Sequence, residues 1–519
     1  MRITYTTFSF MLLMILCNAI FAQKISASKS NAIFSAIKGK ASKPDTIQLF
    51  SLQGSVAMGD FKIAGDQADF FRIISPIPKR LSNDKPARIA LVFTPSDTFI
   101  GIAHASLTLK GLDHPINLTG LSSKGLEGRN EAPLSVIVDA LGYTTNVGWK
   151  NLDNHLKPEI QGEELAPALF KKATQGKVEM TPVARYSPDF LLNFGFYTAS
   201  GNGPVQHQLG ILATAGEFPE HQTLFPAVAT GGTSFDPGDA AFGFYAISPG
   251  HTVYSEDIWN ILFYPTHATH AMRIYPIHSK SGAVLENSYL ICMEEAANGD
   301  YNDYVFIVHN VTPVFQEGEF ATLLNGKNLD GWYTWLQTKG KNNDPENIFS
   351  VESSGILHDQ GKEVGYIMTE QSFENFHLVV EFKWGEKRYP PRESSKRDSG
   401  ICYNIPLSEP DHIWPQSIEC QIQEGDVGDF WLLGNSTIQV DGQQNHPSAY
   451  TQIVKRDDAE KKYGEWNTVE VVSFHGKCVH IVNGVVVNYG ENASLIGGRI
   501  LLQSEYAEIY YRNVKLREL

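Results

Sequence analysis

Cysteine is scarce in this chain, at five in 519 residues, and no two stand in a Cys-x-x-Cys spacing. No zinc pattern is therefore present. Cys292, Cys402, Cys420 and Cys478 each fall inside an apolar strand-like run, which reads as four small core residues. A Cys402–Cys420 bridge between neighbouring strands is the alternative that export would permit. Positive charge is in deficit, with 42 Lys and Arg against 57 Asp and Glu and a net charge of −15. That balance argues against nucleic acid and against an anionic membrane surface as partners. Beyond the N-terminus no stretch approaches about 18 consecutive apolar residues, so no spanning helix is expected. No nicotinamide fingerprint or other redox-cofactor motif occurs, and the C-terminal third has no long amphipathic helical pattern.

What remains is a globular, strand-rich composition. Hydrophobic residues make up 42% and charged residues 19%, enough apolar material for several cores. Residues 1–22 read as a secretory signal peptide: Arg2, the apolar stretch Phe8–Phe21, and the small Ala22 before Gln23. A periplasmic or secreted location follows. Residues 23–126 read as an immunoglobulin-like β-sandwich, from short runs such as Thr46–Leu52, Ala87–Phe93 and Ala105–Leu109 set between Gly, Pro and Asp. Lys124–Asn130 reads as a linker. Residues 131–314 read as a β-rich accessory domain, with an apolar run at Leu134–Leu141 and with Glu164–Ala173 as a short helix or an irregular segment.

Within that second domain, Glu295, Asp300, Asn302 and Asp303 gather oxygen ligands on one loop. Such a set suits Ca²⁺, the one cofactor the sequence suggests, although the spacing is not that of an EF-hand. Turn capping by the same side chains is the alternative. His267 and His270 lack a third ligand nearby and read as structural.

Residues 315–519 carry ten short strand-like runs, among them Gly365–Thr369, His377–Trp384, Ile401–Ile405, Ile418–Gln423 and Ile500–Gln503. Asn483-Gly484 between two valine-rich runs is a hairpin signal, because both residues tolerate positive φ. The expected fold class is mainly β, ending in a concanavalin-like jelly roll. In the strand Ser417–Gln423, alternation puts Ile418, Cys420 and Ile422 on one face and Glu419, Gln421 and Gln423 on the other. One face suits a core. The other offers a carboxylate and two amides to a polyhydroxylated ligand, unless it is simply solvated.

The whole of this third domain resembles the secreted 3-keto-disaccharide hydrolase family, also described as 3-keto-glucoside 1,2-lyases and glucal hydratases. The resemblance runs through Leu323-Leu-Asn-Gly-Lys-Asn-Leu-Asp-Gly-Trp332, Asp398-Ser-Gly400, Ile418-Glu-Cys-Gln-Ile422, Gly464-Glu-Trp-Asn467, Val482-Asn-Gly484, Leu501-Leu-Gln503 and Tyr511-Arg-Asn-Val-Lys-Leu516. Where some members show a histidine after the Leu-Gln run, Ser504-Glu505 stand here. The resemblance implies a glycoside already oxidised at C3 as substrate. Its ketone acidifies the C2 proton, so a base, a donor at the C3 oxygen and a proton source for the leaving group suffice.

On that reading Glu419 is the acid or base, and Lys383, Arg392 or Arg397 stabilises the enolate. Asp398, Gln421 and Glu424 fix hydroxyls or carry the second proton, and Trp384 and Trp431 are candidates for stacking, with core burial favoured for Trp384. The basic residues have an alternative as a loop salt-bridged to Glu386 and Glu393. An oxidoreductase would be the partner that supplies the ketone. Two other functions stay open: a lectin-like module that binds glycan without cleaving it, and an ordinary glycoside hydrolase with Glu424 or Asp429 as its second carboxylate.

Overall fold

The computed structural model describes residues 25–519 apart from 53, 83–84, 127, 153, 167, 217–219, 297 and 315–319. The signal peptide expected at residues 1–22 lies outside the described residues. The fold is mainly β and divides into two compact units. One comprises the chain to Phe196 with His207–Ser255 and Ala271–Pro313. The other comprises Tyr197–Gln206, Glu256–His270 and Val314–Leu519.

The first unit begins with two four-stranded sheets. One holds Ile25–Ala27, Asp45–Ser51, Ala87–Phe93 and Phe71–Ile73, the other Asn31–Ile37, Ile116–Ser123, Gly101–Leu109 and Phe61–Ala64. Alternation turns Ile47, Leu49, Ile89, Leu91, Leu107 and Leu118 inward, and all six are buried in one core. A second pair of sheets follows, of seven and six strands. The apolar run expected at Leu134–Leu141 is a helix, Leu134–Ala140, whose Leu134, Ile137 and Val138 are buried. Spacing of three and four puts these side chains on one helical face. Among the described residues of Glu164–Ala173 no helix forms, and the strand Leu169–Lys172 lies at its end. Glu164 is drawn inward to pair with the buried Arg273. In the other unit, His270 bonds Asp257 at 2.8 Å. Among the described residues no helix is long and apolar enough to cross a membrane.

The second unit is a jelly-roll sandwich of an eight-stranded and a nine-stranded sheet. The eight-stranded sheet runs Phe349–Val351, Leu357–Asp359, Ala507–Glu518, Phe376–Arg388, Asn467–Phe474, Lys477–Val482, Val485–Gly490, with Ala321–Thr322 beside Ala507–Glu518. The nine-stranded sheet runs Gly340–Lys341, Trp332–Leu336, Gly365–Thr369, Gly497–Ser504, Gly400–Ile405, Ser417–Gln421, Phe430–Leu433, Tyr450–Ile453, with Phe373–Glu374 beside Gly497–Ser504. One core lies between them, containing Phe376, Leu378, Val380, Phe382 and Trp384 from one sheet and Ile401, Tyr403, Ile418, Cys420, Phe430, Ile500 and Leu502 from the other. The hairpin at Asn483-Gly484 has φ of 50° and 81°, and pairs Val482 with Val485. The four described cysteines are free and buried. The Cys402–Cys420 bridge does not form: Cys420 faces the sandwich core, while Cys402 belongs to a separate cluster with Tyr333, Tyr366, Met368 and Leu501. Neighbouring strands thus aim the two thiols at opposite faces.

Candidate active site on the nine-stranded sheet

The outer face of the nine-stranded sheet is built by the same alternation that fills the core. Hydrogen-bonded register aligns one row across it: Tyr333, Met368, Leu501, Cys402, Glu419, Trp431 and Gln452. Apart from Glu419 and Gln452 the row is apolar or aromatic, and it buries Tyr333, Met368, Cys402 and Leu501 in a second cluster. Glu419 is consequently not a solvated residue. It is only 4% exposed, and Trp431 is its cross-strand neighbour.

Gly400 makes room for this carboxyl. A Cβ there would lie 2.0 Å from Glu419 Oε1 and 2.3 Å from Gln503 Oε1. Both oxygens crowd over the bare backbone. Gln503 is 2% exposed and its Oε1 is buried without a hydrogen-bond partner. Gly400→Ala is expected to displace Glu419 and lower turnover about 10²-fold, with the circular dichroism spectrum unchanged. Undiminished turnover in that variant would show that the position of Glu419 is irrelevant.

The loop Tyr389–Ser399 leads into the strand Gly400–Ile405, next to Glu419 in the sheet. Arg392 Nη2 donates to the Asp398 carboxylate and, at 3.0 Å, to Glu505 Oε2. Gln423 Nε2 donates to Asp398 Oδ2 at 2.7 Å, while Asp398 Oδ1 is buried without a partner. Two carboxyls, Asp398 and Glu505, therefore share one guanidinium. Burial, followed by the charges of Glu505 and Asp398, holds the Glu419 carboxyl well above the usual range. Burial and then Asp398 push Glu505 up to about 8, with Arg392 opposing. Burial likewise raises Asp398, against the pull of Arg392 and Gln423. Like charges this close cannot all ionise, so the cluster retains protons at neutral pH. Glu505 keeps a 15% exposed side chain, an opening toward solvent.

Other sequence candidates lie elsewhere. Lys383 alternates with Phe382 and Trp384, which are both in the core. It projects from the outer face of the eight-stranded sheet, 5.1 Å above the Trp466 ring and 5.6 Å above that of Tyr510. The whole sandwich separates it from Glu419, which removes it as an enolate stabiliser. Arg397 is committed to structure. Its Nη1 and backbone N–H donate to Glu424 at 2.7 and 2.8 Å, Nε donates to Gly385 O at 3.1 Å, and its guanidinium covers the Tyr463 ring at 4.2 Å. Glu424 is occupied by the same bracket. Gln421 accepts from the backbone N–H groups of Ile422 and Gln423. Asp429 is held by Gln452 and the Lys455 N–H. Among the described residues no ion pair joins the Glu386 or Glu393 carboxylate to the basic loop residues: Arg392 turns to Asp398 and Glu505, and Arg397 to Glu424. Sequence reasoning named Glu505 only as a departure and missed Gln503. The alternation Leu501, Gln503 beside the core residues Ile500 and Leu502 is the signal that points to Gln503.

The acidic loop of the first unit gathers a different set from the one expected. Carboxylate oxygens of Glu294, Asp300 and Asp303 lie within 4.8 Å of one another. Glu295 instead accepts from the Tyr304 hydroxyl, and Asn302 Nδ2 donates to Ala132 O at 3.0 Å. Backbone N–H groups of Ala296, Asp300 and Tyr301 donate to Glu294, and that of Glu295 to Asp303. Burial and then Asp300 raise Glu294 to about 7, and burial raises Asp300 to about 6.

Residues 319–517 match the family model described as a 3-keto-alpha-glucoside-1,2-lyase-like domain. The match makes this a carbohydrate-active domain in kind. No curated protein matches the chain. Similar solved structures include two proteins from Parabacteroides distasonis, each provisionally assigned as a glycosyl hydrolase. One is 20% identical, covering 40% of this chain and 98% of its own with a TM-score of 0.29. The other is 22% identical, covering 38% and 99% with a TM-score of 0.27. The carbohydrate-binding module CBM66 from Bacillus subtilis is 12% identical, covering 36% and 96% with a TM-score of 0.25.

Proposed function

With a 3-keto-alpha-glucoside-1,2-lyase-like domain at residues 319–517 as the premise, we propose that this domain cleaves 3-keto-glycosides by β-elimination. The observation that carries the reading is the pair Asp398 and Glu505 on Arg392, with the buried Glu419 beside Gly400 and its carboxyl raised by burial and by the charges of Glu505 and Asp398. Glu505 as carboxylate takes the C2 proton. The electron pair moves to the C3 oxygen, where Arg392 stabilises the enolate. As the ketone re-forms, a C1–C2 double bond appears, the C1–O bond breaks and the leaving oxygen takes the proton from Glu419. The pair ends with its proton on the other carboxyl. Water addition across the new double bond gives the 3-keto sugar, and without it the product is a glucal. Asp398 stays ionised on Arg392 and fixes it in place. The signal peptide expected at residues 1–22 supports an activity outside the cytoplasm, and the proposed chemistry calls for an oxidoreductase acting on C3 to supply the substrate.

The test is the full chain incubated with a 3-keto-disaccharide and, separately, with the unoxidised disaccharide. Sugar release from the first alone is expected. Release from both would support ordinary hydrolysis, and binding of either without release would support a lectin-like role.

A further inference from the structure

A second row crosses the same sheet face and leads away from the carboxyls. Register aligns Lys341, Trp335, Tyr366 and Gln503. The Trp335 indole stacks on Tyr366, with centroids 5.2 Å apart and planes at 14°. Trp335, Trp414 and Trp431 are half-buried and pack on one cluster, leaving part of each indole open. Trp335 and Trp431 stand on strands of the sheet, and Trp414 on the connection before Ser417–Gln421. Beside them Asp411 Oδ1 accepts from the hydroxyls of Tyr333 at 2.7 Å and Tyr366 at 3.1 Å, and Asp411 Oδ2 from Lys341 Nζ at 3.4 Å. Arg499 donates to the Tyr333 hydroxyl at 2.8 Å and to the carbonyls of Pro406 and Glu409. Asp411 answers Lys341, and hydroxyl and carbonyl oxygens hold the buried Arg499. The surface is therefore aromatic, with hydrogen-bonding groups at its rim. It suits the apolar face and equatorial hydroxyls of an uncharged pyranose better than an ionic ligand.

Two strand spacings separate Trp335 from Gln503, about 10 Å. One sugar ring cannot reach both Trp335 and the Glu419 carboxyl. We infer that the surface presented by Trp335 and Trp414, with the buried Tyr366 backing the first indole, is a remote subsite for neutral sugar rings, holding the leaving-group side of an extended glycoside. Its sugar-binding character stands on the geometry of this face. Which end of the substrate it holds rests on the elimination reading.

The experiment uses unoxidised sugars, so it does not depend on turnover. Maltotriose, cellotriose and laminaritriose are titrated separately into the full chain, with glucose for comparison, and followed by tryptophan fluorescence and calorimetry. At least one trisaccharide is expected to bind about tenfold more tightly than glucose, about 1.4 kcal/mol. Trp335→Ala is expected to abolish that advantage, and Trp335→Tyr to keep most of it. A Trp335→Ala protein that binds every trisaccharide as wild type does, or a wild type that prefers none to glucose, overturns the subsite even if 3-keto-glycosides are cleaved. Loss of the advantage in Trp335→Ala, in a protein that cleaves no 3-keto-glycoside, keeps the subsite and removes the elimination reading.

Discussion

Glu419→Gln is expected to slow turnover of a 3-keto-disaccharide by about 10²–10⁴-fold while the protein keeps its fold. The glutamine amide matches the carboxyl in shape and cannot donate a proton to a leaving oxygen. Stability is the second readout. Glu419 is buried and holds its proton well above the usual carboxylate range. The native state then binds a proton that the unfolded chain has released, so stability falls as pH rises above the unfolded value and through the folded one. A neutral glutamine removes that contribution. The melting temperature of Glu419→Gln at pH 8 is therefore expected to equal or exceed that of wild type. Wild-type turnover in the variant would remove Glu419 from the chemistry.

The second large effect concerns Glu505. Pushed up to about 8 by burial and by Asp398, it is mostly protonated at neutral pH and cannot then accept the C2 proton. Turnover per unit of substrate is expected to rise about tenfold per pH unit below the pKa and to level near pH 8. It falls again once Glu419 loses its proton. Glu505→Gln is expected to lose about 10²-fold or more and to lose the acid limb with it. An acid limb near pH 4–5, where an ordinary carboxylate titrates, would contradict the assignment, as would full activity of Glu505→Gln. The same carboxyl links pH to stability. Its folded pKa is raised, so its contribution to stability declines between the ordinary carboxylate range and about pH 8.

Much of this architecture is legible in alternation. Ile418, Cys420 and Ile422 enter the core as a period of two requires, and Glu419 therefore faces the other way. The hairpin at Asn483-Gly484 follows from two residues that accept positive φ. Alternation within one strand does not say which sheet the strand joins. Lys383 obeys the rule as well as Glu419 does, yet it belongs to the opposite sheet. Charge pairing is also invisible along the chain. Arg392 and Arg397 lie five residues apart in one basic loop, but Arg392 meets Asp398 and Glu505 while Arg397 is spent on Glu424 and the Gly385 carbonyl. Glu505 enters the cluster because Gly497–Ser504 pairs with Gly400–Ile405, a contact between strands about 100 residues apart. The acidic loop illustrates the same limit: Glu294 and Glu295 are adjacent in sequence, and only the first joins Asp300 and Asp303.

The central claim is that the C2–H bond breaks before the glycosidic bond. Cleavage of a 3-keto-disaccharide in D₂O, with the substrate incubated without protein as the control for spontaneous exchange, tests it directly by mass and NMR. The account predicts that the product's C2 no longer carries its original hydrogen, being either part of a double bond or deuterated. A released 3-keto sugar that retains its C2 hydrogen would contradict it.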